Sequence, residues 1–425
     1  MNDGFERFDM KKPPVRCRQL LKPVIWAACI PGLIRHRTKI TKIGLKGLKP
    51  PYLLLGNHNA FFDMNVSAMS TFPHFGNYVV AIDGFIGREW LLRQIACICK
   101  RKFTSDLQMI RHLQTVIKEK GIAAIYPEAR YSLCGTATEL PESVGKLCRM
   151  LKVPVVSLIC HGHHINHPFW NTSHERKVKP TKAEMKLLFS VEELETLTLK
   201  DINERLMQTF QYDDFRWQKE NRIRVDDPKR ADYLDKILYQ CPHCGTEFRM
   251  KGQGTQLSCK ACGKTWEMTE YGELKAISGE TEFSHIPDWY EWERENVKQE
   301  VMAGRYSSGL LQVSVESLPN AKGFIKLGKG TMIHDMQGFR VSVTSDEGQT
   351  YEMVKDPSSM EGCHVEYNYL FKHGDCVDLN TLEDTWYTYP EGEDFSVTKM
   401  ALATEELHRK YAKERKQAVP GTGGA

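Results

Sequence analysis

The chain has 425 residues, enough for about three domains. Apolar residues make up 41% and charged residues 26%, which supplies material for buried cores and excludes a disordered chain, a collagen and a polytopic membrane protein. Net charge is only +4, yet residues 1–50 hold twelve Lys/Arg against three acids. That segment is near +9 and the remainder near −5, an asymmetry suited to an anionic partner at one end.

The opening MNDGFERFDMKK carries acids and no apolar run, so no secretory signal is expected. Residues 23–34 are uncharged but contain Pro31-Gly32 and fall short of the roughly 20 apolar residues that cross a bilayer. Arg16, Arg18 and Lys22 precede this run, Arg35, Arg37 and Lys39 follow it, and Trp26 lies inside. It fits either a helix lying in the headgroup plane of an anionic leaflet or a buried helix of the first domain. Between 51 and 160 short apolar runs alternate with helical patterns, as an α/β domain requires. Strands are expected at 52–55, 78–82, 122–126 and 153–159. A helix is expected at 105–120, with Ser105 as N-cap, a stripe of Leu107, Ile110, Leu113 and Ile117, and Gly121 just past its end. Residues 180–236 read as helical and charged and close a first domain at 1–236.

Nine of the thirteen cysteines (Cys17, Cys29, Cys97, Cys99, Cys134, Cys148, Cys160, Cys363 and Cys376) have no framework spacing and read as buried apolar residues in a reducing cytosol. The other four form CPHCG and CKACG, with fourteen residues between Cys244 and Cys259. Two Cys-x2-Cys knuckles, each followed by glycine, predict a zinc ribbon at 237–280 with a tetrahedral site of Cys241, Cys244, Cys259 and Cys262. Lys251, Lys260 and Lys264 are too few for a basic stripe, so a structural staple or docking module is expected and no nucleic-acid partner. Residues 281–418 alternate as strands and end in a helix. The pattern is similar to a pleckstrin-homology or GRAM-like barrel, with Tyr367, Tyr369, Trp386, Tyr387 and Tyr389 as core pairs. Residues 419–425 read as a flexible tail.

The chemistry concentrates after the first strand, in LLLGNHNAFFDMN. His58 and Asp63 are five residues apart, about 140° around a straight helix, so a working pair needs His58 in the loop or the first turn, with Asp63 reaching back to fix its tautomer. IACICKR then leads to the cationic cluster Lys100-Arg101-Lys102, YPEARYS spans 126–132, and VPVVSLICHG supplies another apolar strand. Cys97 and Cys99 alternate with Ala96 and Ile98, which favours packing over an acyl-cysteine role. His161, His163, His164 and His167 lack the partners of a metal site and read as structural or surface residues.

These four blocks, in this order, resemble the glycerolipid acyltransferases that acylate lysophosphatidic acid, over roughly residues 20–210. The resemblance implies an α/β acyltransferase domain in which His58 is the general base and Asp63 its orienting partner, while Asn57, Arg101, Glu128 and Arg130 serve the acceptor. It further implies acyl-CoA or acyl carrier protein as donor, a lysophospholipid such as 1-acylglycerol-3-phosphate as acceptor, and a place on the cytoplasmic face of a membrane. The sequence departs from the pattern at Ile95, where the family has glycine, and at Arg130-Tyr131, where the arginine comes one position early. A noncatalytic lipid-binding scaffold is the alternative.

Overall fold

The structure, a computed structural model, describes residues 4–371 and 374–418; the expected tail lies outside them. Seven strands form the first sheet: β1 (Lys39–Ile43), β2 (Tyr52–Gly56), β3 (Gly76–Ala81), β4 (Ile98–Lys100), β5 (Ile122–Ile125), β6 (Val155–His161) and β7 (Lys182–Phe189). Their order is β1-β7-β6-β2-β5-β3-β4. All neighbours are parallel except β6 and β7.

The central strand β2, YLLLG, is buried at every position, as a parallel strand covered on both faces must be. Leu53 and Leu55 enter a core with Leu113, Val116, Cys148 and Leu206, whereas Tyr52 and Leu54 face Cys29, Phe62, Val66 and Val156. Helices therefore cover both sides of the sheet. Helix Leu107–Lys118 is capped by Asp106, whose carboxylate accepts from the Gln108 and Met109 amides, one residue beyond the expected Ser105. At its other end Lys120, not Gly121, takes the left-handed conformation. Three strands of this sheet are absent from the sequence expectation, β1 within the basic segment, β4 within IACICKR and β7 within the stretch read as helical. β1 is an edge strand with Lys39, Lys42 and Ile43 exposed, and β7 lies between it and β6 with Lys182 and Lys186 at its exposed positions, so the lysines mask the apolar pattern of both.

A four-stranded antiparallel sheet follows, β8 (Met250–Gln253), β9 (Gln256–Cys259), β10 (Thr265–Met268) and β11 (Leu274–Ala276). Helix Ile286–Met302 leads from it to an antiparallel sheet of seven strands: β12 (Ser307–Ser317), β13 (Ile325–Asp335), β14 (Gly338–Thr344), β15 (Thr350–Lys355), β16 (His364–Glu366), β17 (Cys376–Asn380) and β18 (Thr385–Pro390). Helix Val397–Ala418 closes the described chain. One core joins Cys241, Cys259 and Trp266 of the ribbon to Trp289 and Val297, to Val313 and Trp386 of the large sheet, and to Leu407. Trp386, Tyr387 and Tyr389 are buried, and Tyr369 stacks on Tyr387 with centroids 5.1 Å apart.

The uncharged N-terminal run forms helix Leu21–Arg35, which packs through Cys29 but leaves Leu20, Val24, Ile30 and Ile34 exposed around it. Among the described residues no helix is long and apolar enough to cross a membrane.

Candidate functional site

Because β2 to β6 run parallel to one another, their C-terminal ends share one edge, where α/β sheets gather their functional loops. His58 follows β2, Arg101 and Lys102 follow β4, residues 126–132 follow β5, and His163 follows β6.

His58 lies in the loop, and Asp63 in the first turn of helix Phe62–Ser70. Asp63 Oδ2 accepts from the Asn59 and Ala60 amides at 2.6 and 2.9 Å and lies 3.3 Å from His58 Nδ1. Its other oxygen, Oδ1, meets His163 Nδ1 at 2.5 Å. Burial by itself would raise the Asp63 carboxyl, but hydrogen bonds from His163 and His58 outweigh it and hold the group at about 2. Asp63 thus contributes stability that is present above its ordinary value of 3.8 and lost as pH falls through about 2.

The His58 ring is clamped between two tyrosines, Tyr126 stacked at 4.1 Å and Tyr131 tilted at 4.2 Å. Its side chain keeps 22% of its surface, and no described residue bonds its Nε2. Gly56 makes room for this arrangement, since a Cβ there would meet the Tyr126 ring at 2.9 Å. Asn57 is a clamp between strands: its amide donates to the Cys160 carbonyl at 2.9 Å, and its oxygen accepts from the Cys160 N–H at 2.8 Å.

Glu128 reaches the same loop. It accepts from the His58 amide, from the Thr138 amide and hydroxyl, and from the Tyr212 hydroxyl, at 3.1 to 3.3 Å. Burial outweighs these bonds and pushes its carboxyl up to about 7. Between its ordinary 4.5 and about 7 the native state keeps a proton that the unfolded chain has lost, so this group's contribution to stability falls as pH rises across that window. Glu128→Gln, which keeps an acceptor but cannot ionise, is expected to flatten that decline in urea unfolding measured on either side of the window. An unchanged pH dependence would remove Glu128 as its source.

Arg101 and Arg130 are directed elsewhere. Arg101 is buried, its Nη1 donating to the Leu318 carbonyl and Thr385 Oγ1 at 2.8 Å and its Nη2 to the Pro319 and Glu383 carbonyls at 2.9 Å. Arg130 pairs with Glu405 of the terminal helix, which Arg294 also holds at 2.5 Å. Lys102 sits between Asp83, Glu366 and Asp378 at 3.4 to 3.7 Å. These cations therefore join loops of the first sheet to the C-terminal sheet and to the terminal helix. Cys97 and Cys99 are buried in the core, and burial pushes the Cys97 thiol up to about 12, far from a nucleophilic thiolate.

His163 was missed by the sequence reading, which placed it among structural or surface histidines. It is fully buried and belongs to the site. Only the pairing of β6 beside β2 brings it to Asp63, 100 residues away in sequence.

The four ribbon sulfurs form a second centre. Cys241 and Cys262, and likewise Cys244 and Cys259, have sulfurs 3.8 Å apart, the edge length of a tetrahedron with metal–sulfur bonds of about 2.3 Å. Gly245 and Gly263, both at positive φ, turn their N–H groups onto the Cys241 and Cys259 carbonyls. The cluster is compatible with a structural metal.

No family model and no curated protein matches the sequence. Among solved structures the chain is similar to the 1-acyl-sn-glycerophosphate (LPA) acyltransferase PlsC from Thermotoga maritima, at 15% identity and a TM-score of 0.32, over 45% of this chain and 78% of that one.

Proposed function

We propose that this chain is an O-acyltransferase that works at a membrane surface, moving an acyl group from acyl-CoA or acyl carrier protein to the hydroxyl of a lysophospholipid, with 1-acylglycerol-3-phosphate the first acceptor to test. The observation that carries this reading is the His58–Asp63 pair, with Nδ1 held by a buried carboxylate and Nε2 left without a bonding partner among the described residues. An acceptor hydroxyl at Nε2 would lose its proton to His58 as its oxygen bonds the thioester carbonyl carbon, Asp63 stabilising the imidazolium; the C–S bond then breaks and the donor leaves as a thiol with the proton that His58 returns. Zinc is the ion proposed for the four cysteines, in a structural role. The test is transfer of labelled acyl groups by the purified chain to a panel of lysolipids. Transfer to a lysolipid hydroxyl supports the reading, and none from either donor ends it.

A location on the cytoplasmic face of an anionic membrane is proposed from the exposed apolar residues Leu20, Val24, Ile30 and Ile34 inside the +9 segment, together with exposed Phe61 beyond the His58 loop. Each basic residue near such a surface contributes about 1 kcal/mol and is screened by salt. Flotation with anionic vesicles is expected to weaken as salt rises, and equal flotation with neutral lipid would contradict this.

The noncatalytic scaffold is favoured by the direction of the two arginines, Arg101 donating through both Nη atoms to residues of the C-terminal sheet region and Arg130 pairing with Glu405. Arg130→Ala leaves Glu405 with Arg294 as its remaining buried partner. It is expected to cost about 3 kcal/mol in denaturant unfolding with KM for lysophosphatidate unchanged. A raised KM at unchanged stability would return this arginine to the acceptor.

A further inference from the structure

We propose that His163 is a positioning residue of the site, whose Nδ1–H fixes the Asp63 carboxylate so that its other oxygen selects the Nδ1–H tautomer of His58. The inference deepens the acyltransferase reading and rests on it only for its kinetic arm.

Oδ2 of Asp63 has three neighbours, the Asn59 and Ala60 amides and His58 Nδ1. For Oδ1 the hydrogen-bond donor is the His163 ring, at 2.5 Å. Both side chains are essentially without solvent access, so an Oδ1 deprived of His163 would be a buried anionic oxygen with no water to replace the bond. The carboxylate could relieve that cost only by rotating, and rotation would withdraw Oδ2 from His58. The first contact in this chain is the shortest and most buried, and the His58 contact at 3.3 Å is the one it supports.

The state of His163 follows from its other nitrogen. Nε2 is buried with no hydrogen-bond partner, and the ring packs edge-on against Phe62 at 4.8 Å. An imidazolium would place an N–H there with no acceptor, whereas the neutral ring protonated at Nδ1 leaves only a lone pair. His163 therefore acts as a fixed donor. The turn that aims it is itself held: Asp214 Oδ2 accepts from the Gly162 amide at 3.0 Å and the His164 amide at 3.1 Å. Gly162 adopts φ +85, and a Cβ there would approach the Trp217 ring at 3.0 Å. Asn57 locks the other side by pairing with both backbone groups of Cys160, so β2 and β6 present His58 and His163 to one carboxylate in fixed register.

The experiment compares two near-isosteric variants of the full chain. In His163→Asn the side-chain amide can take the place of Nδ1–H, whereas in His163→Gln the amide reaches the place of Nε2 and cannot donate to Oδ1. Nitrogen-15 spectra of histidine-labelled protein read the His58 tautomer directly, without any turnover. The expected result is an Nδ1–H tautomer in the wild type and in His163→Asn, and its loss in His163→Gln. Melting curves confirm that both variants are folded, and His163→Ala serves in place of a variant that is not. If His163→Gln retains the wild-type tautomer, or if His163→Asn loses it while folded, the positioning role is overturned. With acyl transfer established, His163→Gln is also expected to lower kcat about tenfold at unchanged KM, and His163→Asn to restore it. A protein without acyl transfer would end the functional reading and leave the tautomer result to decide this inference.

Discussion

Replacing His58 by alanine is expected to lower acyl transfer by about 10² to 10⁴-fold, the usual contribution of a general base, while leaving the fold and vesicle binding intact. The ring occupies a partly exposed slot between Tyr126 and Tyr131, so its removal leaves a surface gap and no buried charge on the substituted residue itself. Asp63 differs in this respect. It is buried with hydrogen-bond donors on both oxygens, and Asp63→Asn places an amide where donors already converge on one oxygen pair. Its substitution should therefore reduce both turnover and stability, the first because the imidazolium loses its counter-charge. The measurement is kcat and KM for both variants beside their melting temperatures. Wild-type turnover by His58→Ala would end the base assignment.

Metal removal should have the largest effect on folding. Structural zinc in small cysteine sites contributes apparent binding energies of about 10–16 kcal/mol to isolated ribbons and fingers, because the unfolded chain has no preformed site. Here part of that energy is replaced by packing, since Cys241 and Cys259 are buried in the core that contains Trp266 and Trp289. Trp289 Nε1 also donates to the Gln240 carbonyl at 2.9 Å, so loosening the ribbon loosens helix Ile286–Met302 beneath it. One zinc per chain is expected by elemental analysis. Cys244→Ser should lose the ion, lower the free energy of unfolding by several kcal/mol and change tryptophan fluorescence before the first sheet melts. A metal content well under one per chain, or a Cys244→Ser variant with unaltered content, would contradict the assignment.

Local chemistry made much of this legible in the sequence. The run at 52–55 reads as a strand, the helix expected at 105–120 is marked by its stripe, and two Cys-x2-Cys knuckles can bring four sulfurs to one point without help from the rest of the fold. The His58–Asp63 geometry was also local, since a loop histidine followed by a first-turn aspartate needs no distant element to meet. What the sequence could not contain is anything decided by which strands lie side by side. The order β6-β2-β5 puts His163 on Asp63 and Glu128 under the His58 loop, contacts spanning 100 and 70 residues that no periodicity encodes. Docking of the C-terminal sheet and helix likewise gives Arg101 the Leu318 and Pro319 carbonyls as partners and gives Arg130 the Glu405 carboxylate of the terminal helix. A guanidinium's chemistry fits a phosphate and a ring of carbonyls equally well, and only the tertiary neighbours determine which of the two it meets.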